Sequence, residues 1–396
     1  MVSVGRVRLE NMKLLHTSDL HLGRSFHGRS LDEEQGAVHR ELVRVCQEEG
    51  IQVVLVAGDV YDQASPRTDV IRQLSALLQE LHEIGVSVVL TSGNHDSPAR
   101  LSFAAPLLRG AGVHLITEIE QITQPVRLGK DPQGRDILIY GIPYLEPRHA
   151  AGILGTQPTH QAVLAEAARR IQEDWAHHPD SRAVIMAHCF AVGGSETDSE
   201  RSLEQGNLAA VGTGIFSPFD YAALGHLHGR QQLSETIRYS GSPLPFSFSE
   251  TEQRKGYWIL DFAAEGLRIS GGLWQEHLKL ARLRGTLEQL LSDPDYAWAE
   301  DCLCQITLTD RQRPVHPMER LRKRFPETLE LRFSGLSERK AISYARTVAA
   351  AQSPEQICSS FYARVRQREL SGSEQRVVEG AVREAEHSLR TTEGER

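Results

Sequence analysis

The sequence predicts an α/β fold in which two sheets pack as an α/β sandwich, followed by a small α/β cap and C-terminal helices. Short apolar, β-branched runs recur through the first part of the chain and are typical of buried strands. Amphipathic helix patterns separate the early runs, which favours sheets covered by helices. From about residue 221 to 274, strand patterns follow one another without long helices, so the sheets should end in antiparallel or mixed strands. The predicted buried strands cover 14–16, 53–57, 86–90, 137–140, 183–187 and 221–224, and a further strand in the cap covers 328–333.

Three helices are predicted between these strands, over 31–49, 65–84 and 159–177. In the second of them Ser65 suits an N-cap and Pro66 suits the first helical position. Apolar residues from Val70 to Ile84 then keep one face, and Gly85 ends the helix.

The chain of 396 residues is longer than one hydrophobic core usually serves, which is about 250 residues. We predict a catalytic domain over 12–275, a cap over 276–350, two helices over 351–390 and a disordered tail over 391–396. Met12 stands directly before the first strand and is an alternative start. Residues 311–346 contain ten Lys or Arg against four Asp or Glu, which fits either a solvated surface or a face for a phosphate backbone.

Composition excludes several classes of protein. Hydrophobic residues make up 40% and charged residues 24%, as in ordinary globular proteins. No apolar run could cross a bilayer and no secretory signal is recognisable, so we expect a cytoplasmic protein with no membrane partner. The five cysteines include no C-x-x-C pair, which argues against a disulfide framework. A net charge of −8 is not typical of binding nucleic acid through bulk electrostatics, so a polyanion would need a local positive site.

Metal-capable side chains follow nearly every predicted strand. Because the carboxyl ends of strands in an α/β sheet open onto one crevice, residues distant in sequence can meet there. A small residue before a ligand lets the backbone approach closely. The candidate ligands are Asp19, His21, Asp59, Asn94, His188, His226 and His228.

Each of these features alone has an ordinary explanation. Asp59 and Asn94 are also common turn formers after strands, and His188 could be a hydrogen-bonded core histidine. Their combination is what indicates a metal site. Seven nitrogen and oxygen donors are too many for one tetrahedral zinc and suit two divalent ions that share a bridging carboxylate.

The predicted charge of this site indicates its substrate. Two dications bring +4 and the carboxylates of Asp19 and Asp59 bring −2, which leaves +2 to attract a phosphate. Such a centre supports in-line displacement at phosphorus. His95 lies next to Asn94 but cannot easily point at the same ion, so we predict that it donates a proton to the leaving oxygen.

The order D-x-H, G-D-x-x-D, G-N-H-D, an isolated His and G-H-x-H resembles the calcineurin-like metallophosphoesterase superfamily. The stretches LLHTSDLHLGR, VVLVAGDVYD, SGNHDSPARL, GHLHGRQ and YSGSPLPFSFSE resemble its SbcD family of nuclease subunits. The resemblance runs from about Met12 into the C-terminal helices. It departs at Cys189, where a Gly often follows the His, and residues 1–11 have no counterpart.

This resemblance implies manganese as the usual ion and assigns the ligands to two sites. One ion would be held by Asp19, His21, Asp59 and His228, the other by Asp59, Asn94, His188 and His226, with Asp59 bridging. His95 matches the catalytic histidine and Asp62 lies behind the ligands. The resemblance also implies a cap that positions DNA, C-terminal helices that dock on an SbcC-type coiled-coil ATPase, and a homodimer within a heterotetramer.

The sequence therefore predicts a Mn-dependent DNA nuclease, with double-strand exonuclease and single-strand or hairpin endonuclease activity. Another metallophosphoesterase, a phosphatase or cyclic-nucleotide phosphodiesterase, is the alternative. Against a protein phosphatase, the residues after Asp59 read Val-Tyr-Asp-Gln and lack Asp-Arg-Gly. Against a minimal phosphodiesterase, roughly 120 residues after Trp274 would have no purpose. A scaffold without metal would require a missing ligand, and none is missing.

Overall fold

The computed structural model describes residues 11–200, 210–334, 353–366 and 368–393. The 17 strands of this part of the chain, β1 to β17 in order, are Met12–Thr17, Ser25–Phe26, Arg29–Ser30, Val53–Ala57, Ser87–Thr91, Val113–Ile116, Val126–Lys130, Asp136–Ile142, Ser181–His188, Tyr221–Gly225, Gln231–Gln232, Ile237–Tyr239, Gly256–Ala263, Gly266–Leu273, Leu280–Gly285, Leu303–Leu308 and Thr328–Phe333.

The α-helices of the described residues, α1 to α10 in order, are Asp32–Glu49, Thr68–Glu83, Pro98–Leu101, Ala105–Arg109, Pro147–Leu154, His160–Trp175, Leu287–Ser292, Pro317–Leu321, Pro354–Arg366 and Gly372–Glu393. Short 3-10 helices cover Ile119–Gln121, Thr213–Ile215, Phe248–Glu250 and Pro294–Ala299. None of the helices in the described ranges is both long and apolar enough to cross a membrane.

Two six-stranded sheets form the main body. The first has the order β14-β13-β1-β4-β5-β6, with β1, β4, β5 and β6 parallel and β13 and β14 antiparallel beside them. The second has the order β11-β12-β10-β9-β8-β7, with a parallel centre and antiparallel strands at both edges. This confirms the predicted two-sheet α/β sandwich with mixed edges.

Apolar residues from both sheets meet in a core between them. Leu14, Leu55 and Val89 of the first sheet pack there with Ile139 and Met186 of the second. Successive side chains of a strand point to opposite faces, and the β-branched runs therefore serve two cores. In β4, Val54 and Val56 join the outer cluster that α1 and α2 cover. The second sheet packs its outer face on α5 and α6.

One predicted helix boundary was wrong. Ser65 does not cap α2, because the helix begins at Thr68 and Arg67 in the N-cap position keeps an extended backbone with ψ 158°. Residues 65 and 67 are exposed, so no burial holds them in a helix before the apolar face begins at Val70. The last helix, α10, continues to Glu393 and so includes the first three residues of the predicted tail 391–396. Residues 394–396 lie outside the described part of the chain.

The chain divides into two compact units. The first comprises 1–283, 291–306 and 318–331, and the second comprises 284–290, 307–317 and 332–396. The predicted cap region contains a three-stranded sheet of order β15-β16-β17, with short helices α7 and α8 along the same stretch. The predicted domain limits at 275, 350 and 390 stay predictions, and part of the basic stretch 311–346 lies outside the described residues.

Candidate metal centre

The predicted ligands lie at the carboxyl ends of strands from both sheets. Asp19 and His21 follow β1, Asp59 follows β4, and Asn94 with His95 follows β5. The second sheet contributes His188 at the end of β9, and His226 and His228 after β10. Backbone hydrogen bonds join neighbouring turns, from Asp19 N to Gly58 O at 3.1 Å and from His21 N to Asp59 O at 3.0 Å. The backbone N–H of His226 donates to Asp19 Oδ1 at 3.0 Å, so the structure also brings together turns that are 207 residues apart.

One group of donors surrounds His21. Its Nε2 lies 3.1 Å from Nε2 of His228 and 3.5 Å from Oδ2 of Asp59. Potential ligand atoms of Asp19, His21 and His228 all lie within 4.8 Å of one another. All of these side chains are buried. Two imidazole nitrogens facing each other at this distance indicate a position for a proton or a cation.

A second group surrounds His188. Its Nε2 lies 2.9 Å from Oδ1 of Asn94 and 3.3 Å from Oδ2 of Asp59. The ring of His226 stands edge-on to His188, with ring centroids 5.3 Å apart, and its backbone N–H donates to Asp19 Oδ1 at 3.0 Å. The same Asp59 oxygen, Oδ2, therefore approaches imidazoles of both groups.

Strained backbone is concentrated at this site. Seven non-glycine residues in the described chain have a positive φ, and four of them are predicted ligands: Asp19 (53°), His21 (43°), Asp59 (48°) and His226 (103°). Such conformations cost about 1–3 kcal/mol each and persist only where the surrounding structure holds them. Their clustering is typical of a functional site.

Two glycines show why the predicted small residues are needed. A Cβ on Gly58, which has a φ of 84°, would lie 2.2 Å from His188 Nδ1. A Cβ on Gly93 would lie 2.1 Å from Asp59 Oδ1. Each glycine therefore leaves room for a candidate ligand.

Burial and close charges shift the pKa values of these groups in opposite directions. Burial raises the pKa of Asp19 to about 7. Burial also acts to raise the pKa of Asp59, but the surrounding imidazoles, His188 first, hold it well below its usual value. The pKa of His188 is lowered by burial, yet the Asp59 and Asp19 carboxylates outweigh this and raise it to about 9. Without a cation, a proton on His188 therefore offsets part of the negative charge of the buried carboxylates.

His95 is held beside this cluster by its backbone and by its ring. Its backbone N–H donates to Asp59 Oδ1 at 2.9 Å. Its Nδ1 lies 2.8 Å from the Asp62 carbonyl oxygen, which can only accept, so Nδ1 carries the proton. Its Nε2 is 4.0 Å from Asp59 Oδ2 and therefore faces the carboxylate that both groups share.

Sequence reasoning missed several supporting residues. Asp96 accepts hydrogen bonds from the backbone N–H groups of Val60, Tyr61 and Gly93 at 2.9–3.0 Å, and so joins the turns after β4 and β5. Its position in SGNHD offered a signal, because an Asp in a turn often accepts from nearby backbone amides. Ser199 and Glu250, which lie behind His228, were also missed, because neither lies next to a predicted ligand in the sequence.

The side chains present fit a pair of divalent ions. The donors are imidazole nitrogens, an amide oxygen and carboxylate oxygens with no thiolate, a set that suits manganese or iron-like ions. His226 Nε2 is buried and has no hydrogen-bond partner within the described residues, and the pKa of this imidazole is lowered by burial to about 3. A neutral, buried imidazole with an orphaned nitrogen is suited to binding a metal.

Comparison with known proteins supports the same chemistry. A family model described as calcineurin-like phosphoesterase matches residues 12–230, and one described as the type 5 capsule protein repressor C-terminal domain matches residues 277–366. The chain is 26% identical over 372 residues to a protein of Staphylococcus saprophyticus described as the D subunit of the nuclease SbcCD. This match covers 93% of the chain and 97% of that relative.

The matching solved structures are less similar to this chain in sequence. A dimetal phosphatase from Danio rerio is 14% identical with a TM-score of 0.39, and the match covers 68% of this chain and 97% of that one. A protein from Thermus thermophilus is 13% identical with a TM-score of 0.38, covering 66% and 99%. These scores are too low to support a conclusion.

The family matches confirm the predicted resemblance and the predicted enzyme class, a metal-dependent phosphodiester hydrolase. The first family model alone spans more than half of the chain and contains every predicted ligand. The chain belongs to the calcineurin-like phosphoesterase family.

Proposed function

We propose that the protein is a Mn-dependent DNA nuclease subunit that works with an SbcC-type ATPase in DNA end processing and repair. Its activities would be exonuclease on double-stranded ends and endonuclease on single strands or hairpins. The observation that carries the proposal is the carboxylate of Asp59, buried at the strand ends with imidazoles of both sheets around it. The likeness to a protein described as part of a nuclease supports DNA as the substrate.

Two ions would share the ligands as the family resemblance implies. Asp19, His21, Asp59 and His228 would hold one, and Asp59, Asn94, His188 and His226 the other. The close approach of His21 to His228 and of His188 to Asn94 supports this division. Asp59 would bridge, because the structure brings its Oδ2 near both sets of imidazoles.

The two ions would activate water and stabilise charge on the phosphate oxygens. The protein would hold the phosphodiester over the buried cluster and keep bulk water away from the ligands. His95 would donate its Nε2 proton to the leaving oxygen. This transfer leaves the neutral imidazole with its proton on Nδ1, the form that the Asp62 carbonyl already holds.

The C-terminal helices α9 and α10 would dock on the coiled coil of the ATPase. Val365 of α9 is 59% exposed and Val377 of α10 is 71% exposed. Apolar side chains on an amphipathic helix can bind a partner helix. Co-purification with the ATPase should fail for a Val365→Glu, Val377→Glu variant, while its Mn-dependent hydrolysis of a small phosphodiester should remain.

A second copy of the chain would bind near the start of α4, where Phe103 and Leu107 are each 81% exposed. Large exposed apolar side chains close together are typical of interaction surfaces. We propose a homodimer within a heterotetramer, located in the cytoplasm. Sedimentation of the Phe103→Glu variant as a monomer beside a dimeric parent would support this surface, and an unchanged dimer would contradict it.

The nuclease proposal is tested by digestion with and without the ATPase. Purified protein with Mn²⁺ should degrade free duplex ends and open a DNA hairpin, and blocked ends should resist the exonuclease. A small phosphodiester, bis-p-nitrophenyl phosphate, serves as the comparison substrate. Hydrolysis of the small substrate with no cleavage of any DNA, alone or with the ATPase, would favour the other metallophosphoesterase activities.

A further inference from the structure

His21 and His228 face each other across one proposed metal site. The second ring nitrogen, Nδ1, has a different neighbour in each of them. Nδ1 of His21 lies 3.3 Å from a carboxylate oxygen of Asp62. Nδ1 of His228 instead lies 2.5 Å from the hydroxyl of Ser199, on the segment after β9. Metal-binding histidines usually have such a partner on the second ring nitrogen, and it fixes the orientation and tautomer of the ring. What Ser199 does to His228 therefore depends on where its single proton lies.

The hydrogen bonds of Ser199 place that proton. Its hydroxyl donates to Glu250 Oε1, also at 2.5 Å, and a carboxylate can only accept. If the hydroxyl donated to His228 instead, the Ser199 oxygen and Glu250 Oε1 would face each other through lone pairs at 2.5 Å, which is unfavourable. Nδ1 of His228 must then carry the proton and donate to Ser199. The lone pair of His228 is thereby left on Nε2, the nitrogen that faces His21.

Glu250 is itself fixed by a buried cation. Lys255 forms an ion pair with Glu250 Oε2, and its Nζ also donates to the carbonyl of His228 at 2.8 Å. Glu250 is 1% exposed and Lys255 is 8% exposed. On the other side, Glu200 accepts from the backbone N–H of His228 at 2.8 Å. The backbone and the ring of His228 are thus held by one connected network.

The network also reaches the other histidine. One nitrogen of the Arg24 guanidinium donates to Asp62 Oδ1 at 3.0 Å, and another donates to the carbonyl of Ser199 at 2.9 Å. The guanidinium lies over the ring of Phe246, 4.8 Å from its centroid. Arg24 therefore joins the partner of His21 to the partner of His228.

We propose that Ser199 and Glu250 are positioning residues for metal binding. Through the chain Glu250–Ser199–His228 they hold His228 with its proton on Nδ1, so that Nε2 is presented to a divalent cation. This inference rests on the proposed metal site, and it adds that the segment after β9 completes that site from behind.

The test is titration of the metal-free full-length protein with Mn²⁺ by calorimetry. Removal of a hydrogen-bond partner behind a ligand typically weakens metal affinity by about 10–100-fold. We expect such a loss at one of two sites for Ser199→Ala. Ser195→Ala is the matched control, because Ser195 is exposed on the same segment and contacts Gln231 through its backbone atoms. This control should bind Mn²⁺ like the parent.

A pair of nearly isosteric variants separates the hydroxyl from general packing. Ser199→Thr keeps the hydroxyl and should restore affinity to near the parent value, whereas Ser199→Val should match Ser199→Ala. Equal weakening by Thr and Val, or a parent-like isotherm for both Ala and Val, would overturn the inference. The comparison of Thr with Val remains decisive if Ser199→Ala fails to fold.

The outcomes also separate this inference from the proposed function. A parent that binds two Mn²⁺ and cleaves DNA, with Ser199→Ala and Ser199→Val binding Mn²⁺ equally well, would remove only the positioning role. A parent that binds no Mn²⁺ would remove both the metal centre and the inference. Parent binding of Mn²⁺ that falls in Ser199→Ala, without DNA cleavage by the parent, would support the positioning role and contradict the nuclease.

Discussion

The two sheets contribute different chemistry to one site. The first sheet supplies the carboxylates of Asp19 and Asp59 and the amide of Asn94, along with His21. The second sheet supplies only imidazoles, those of His188, His226 and His228. All of the negative charge among the predicted ligands therefore lies on one side of the sandwich.

The two sides also differ in how they hold their ligands. Three of the four ligands with a positive φ belong to the first sheet, where consecutive turns are joined through backbone hydrogen bonds and Asp96. On the second side, His228 donates a hydrogen bond to Ser199 on the segment after β9 and accepts one from Lys255. The comparison teaches that the anionic side is fixed largely by local backbone geometry, whereas His228 on the imidazole side depends on side chains distant in sequence.

The largest effect is expected from a substitution of Asp59, because its carboxylate lies close to imidazoles of both sheets. Asp59→Asn removes the negative charge near His21 and His188, so binding of both ions and hydrolysis should fall by more than the roughly 100-fold typical of residues behind a ligand. Calorimetry with Mn²⁺ and a phosphodiesterase assay measure this. Asp69→Asn, on the exposed start of α2, is the control. Retained binding of two ions by Asp59→Asn would contradict its bridging role.

The next largest effect is expected at His95, on the side of the first sheet. It separates a loss of catalysis from a loss of metal binding. His95→Asn removes the proposed proton donor, so kcat should fall by about 10²–10⁴-fold while the Mn²⁺ isotherm stays unchanged. Steady-state kinetics and calorimetry on the same preparation make the comparison. Unchanged hydrolysis would refute the catalytic assignment, and loss of an ion would make His95 a ligand.

A third prediction concerns Gly58 after β4 of the first sheet, which lies against His188 of the second sheet. Gly58→Ala forces a side chain into a left-handed conformation and against His188, so the free energy of unfolding should fall by roughly 2–4 kcal/mol. Gly50→Ala is the control, since Gly50 has a φ of 65° but nothing within 4 Å of the added Cβ. It should lose only about 1 kcal/mol. Equal losses in denaturant unfolding would show that contact with His188 adds nothing.

Taken per pH unit, the smallest effect is a dependence of metal affinity on pH. In the metal-free protein His188, with a pKa of about 9, binds a proton at neutral pH, and Asp19, with a pKa of about 7, gains one below pH 7. A cation must displace these protons, so apparent affinity should rise with pH, by about tenfold per unit between pH 7 and 9 and more steeply below. Calorimetry in buffers of different ionisation enthalpy measures the protons released. Affinity that is flat from pH 6 to 9 would contradict the coupling.

Much of the fold was predictable because its signals are local. The strands β4 and β17 match their predicted ranges, since β4 is a β-branched run and turn residues directly follow both strands. The start of α2 was not predictable from Ser65, because the onset of burial at Val70 overrides the preference of a capping residue. Candidate ligands were predictable for the same reason as strands, since each follows one directly.

The sequence by itself determined which side chains could serve as ligands and that strand ends would present them. Only the tertiary structure decided that the Asp59 carboxylate approaches imidazoles of both sheets, and that Ser199 and Glu250 stand behind His228. The physical reason is that a strand and its turn are set by neighbouring residues. Contacts between sheets depend instead on how two separately twisted layers pack, and no local pattern encodes that distance.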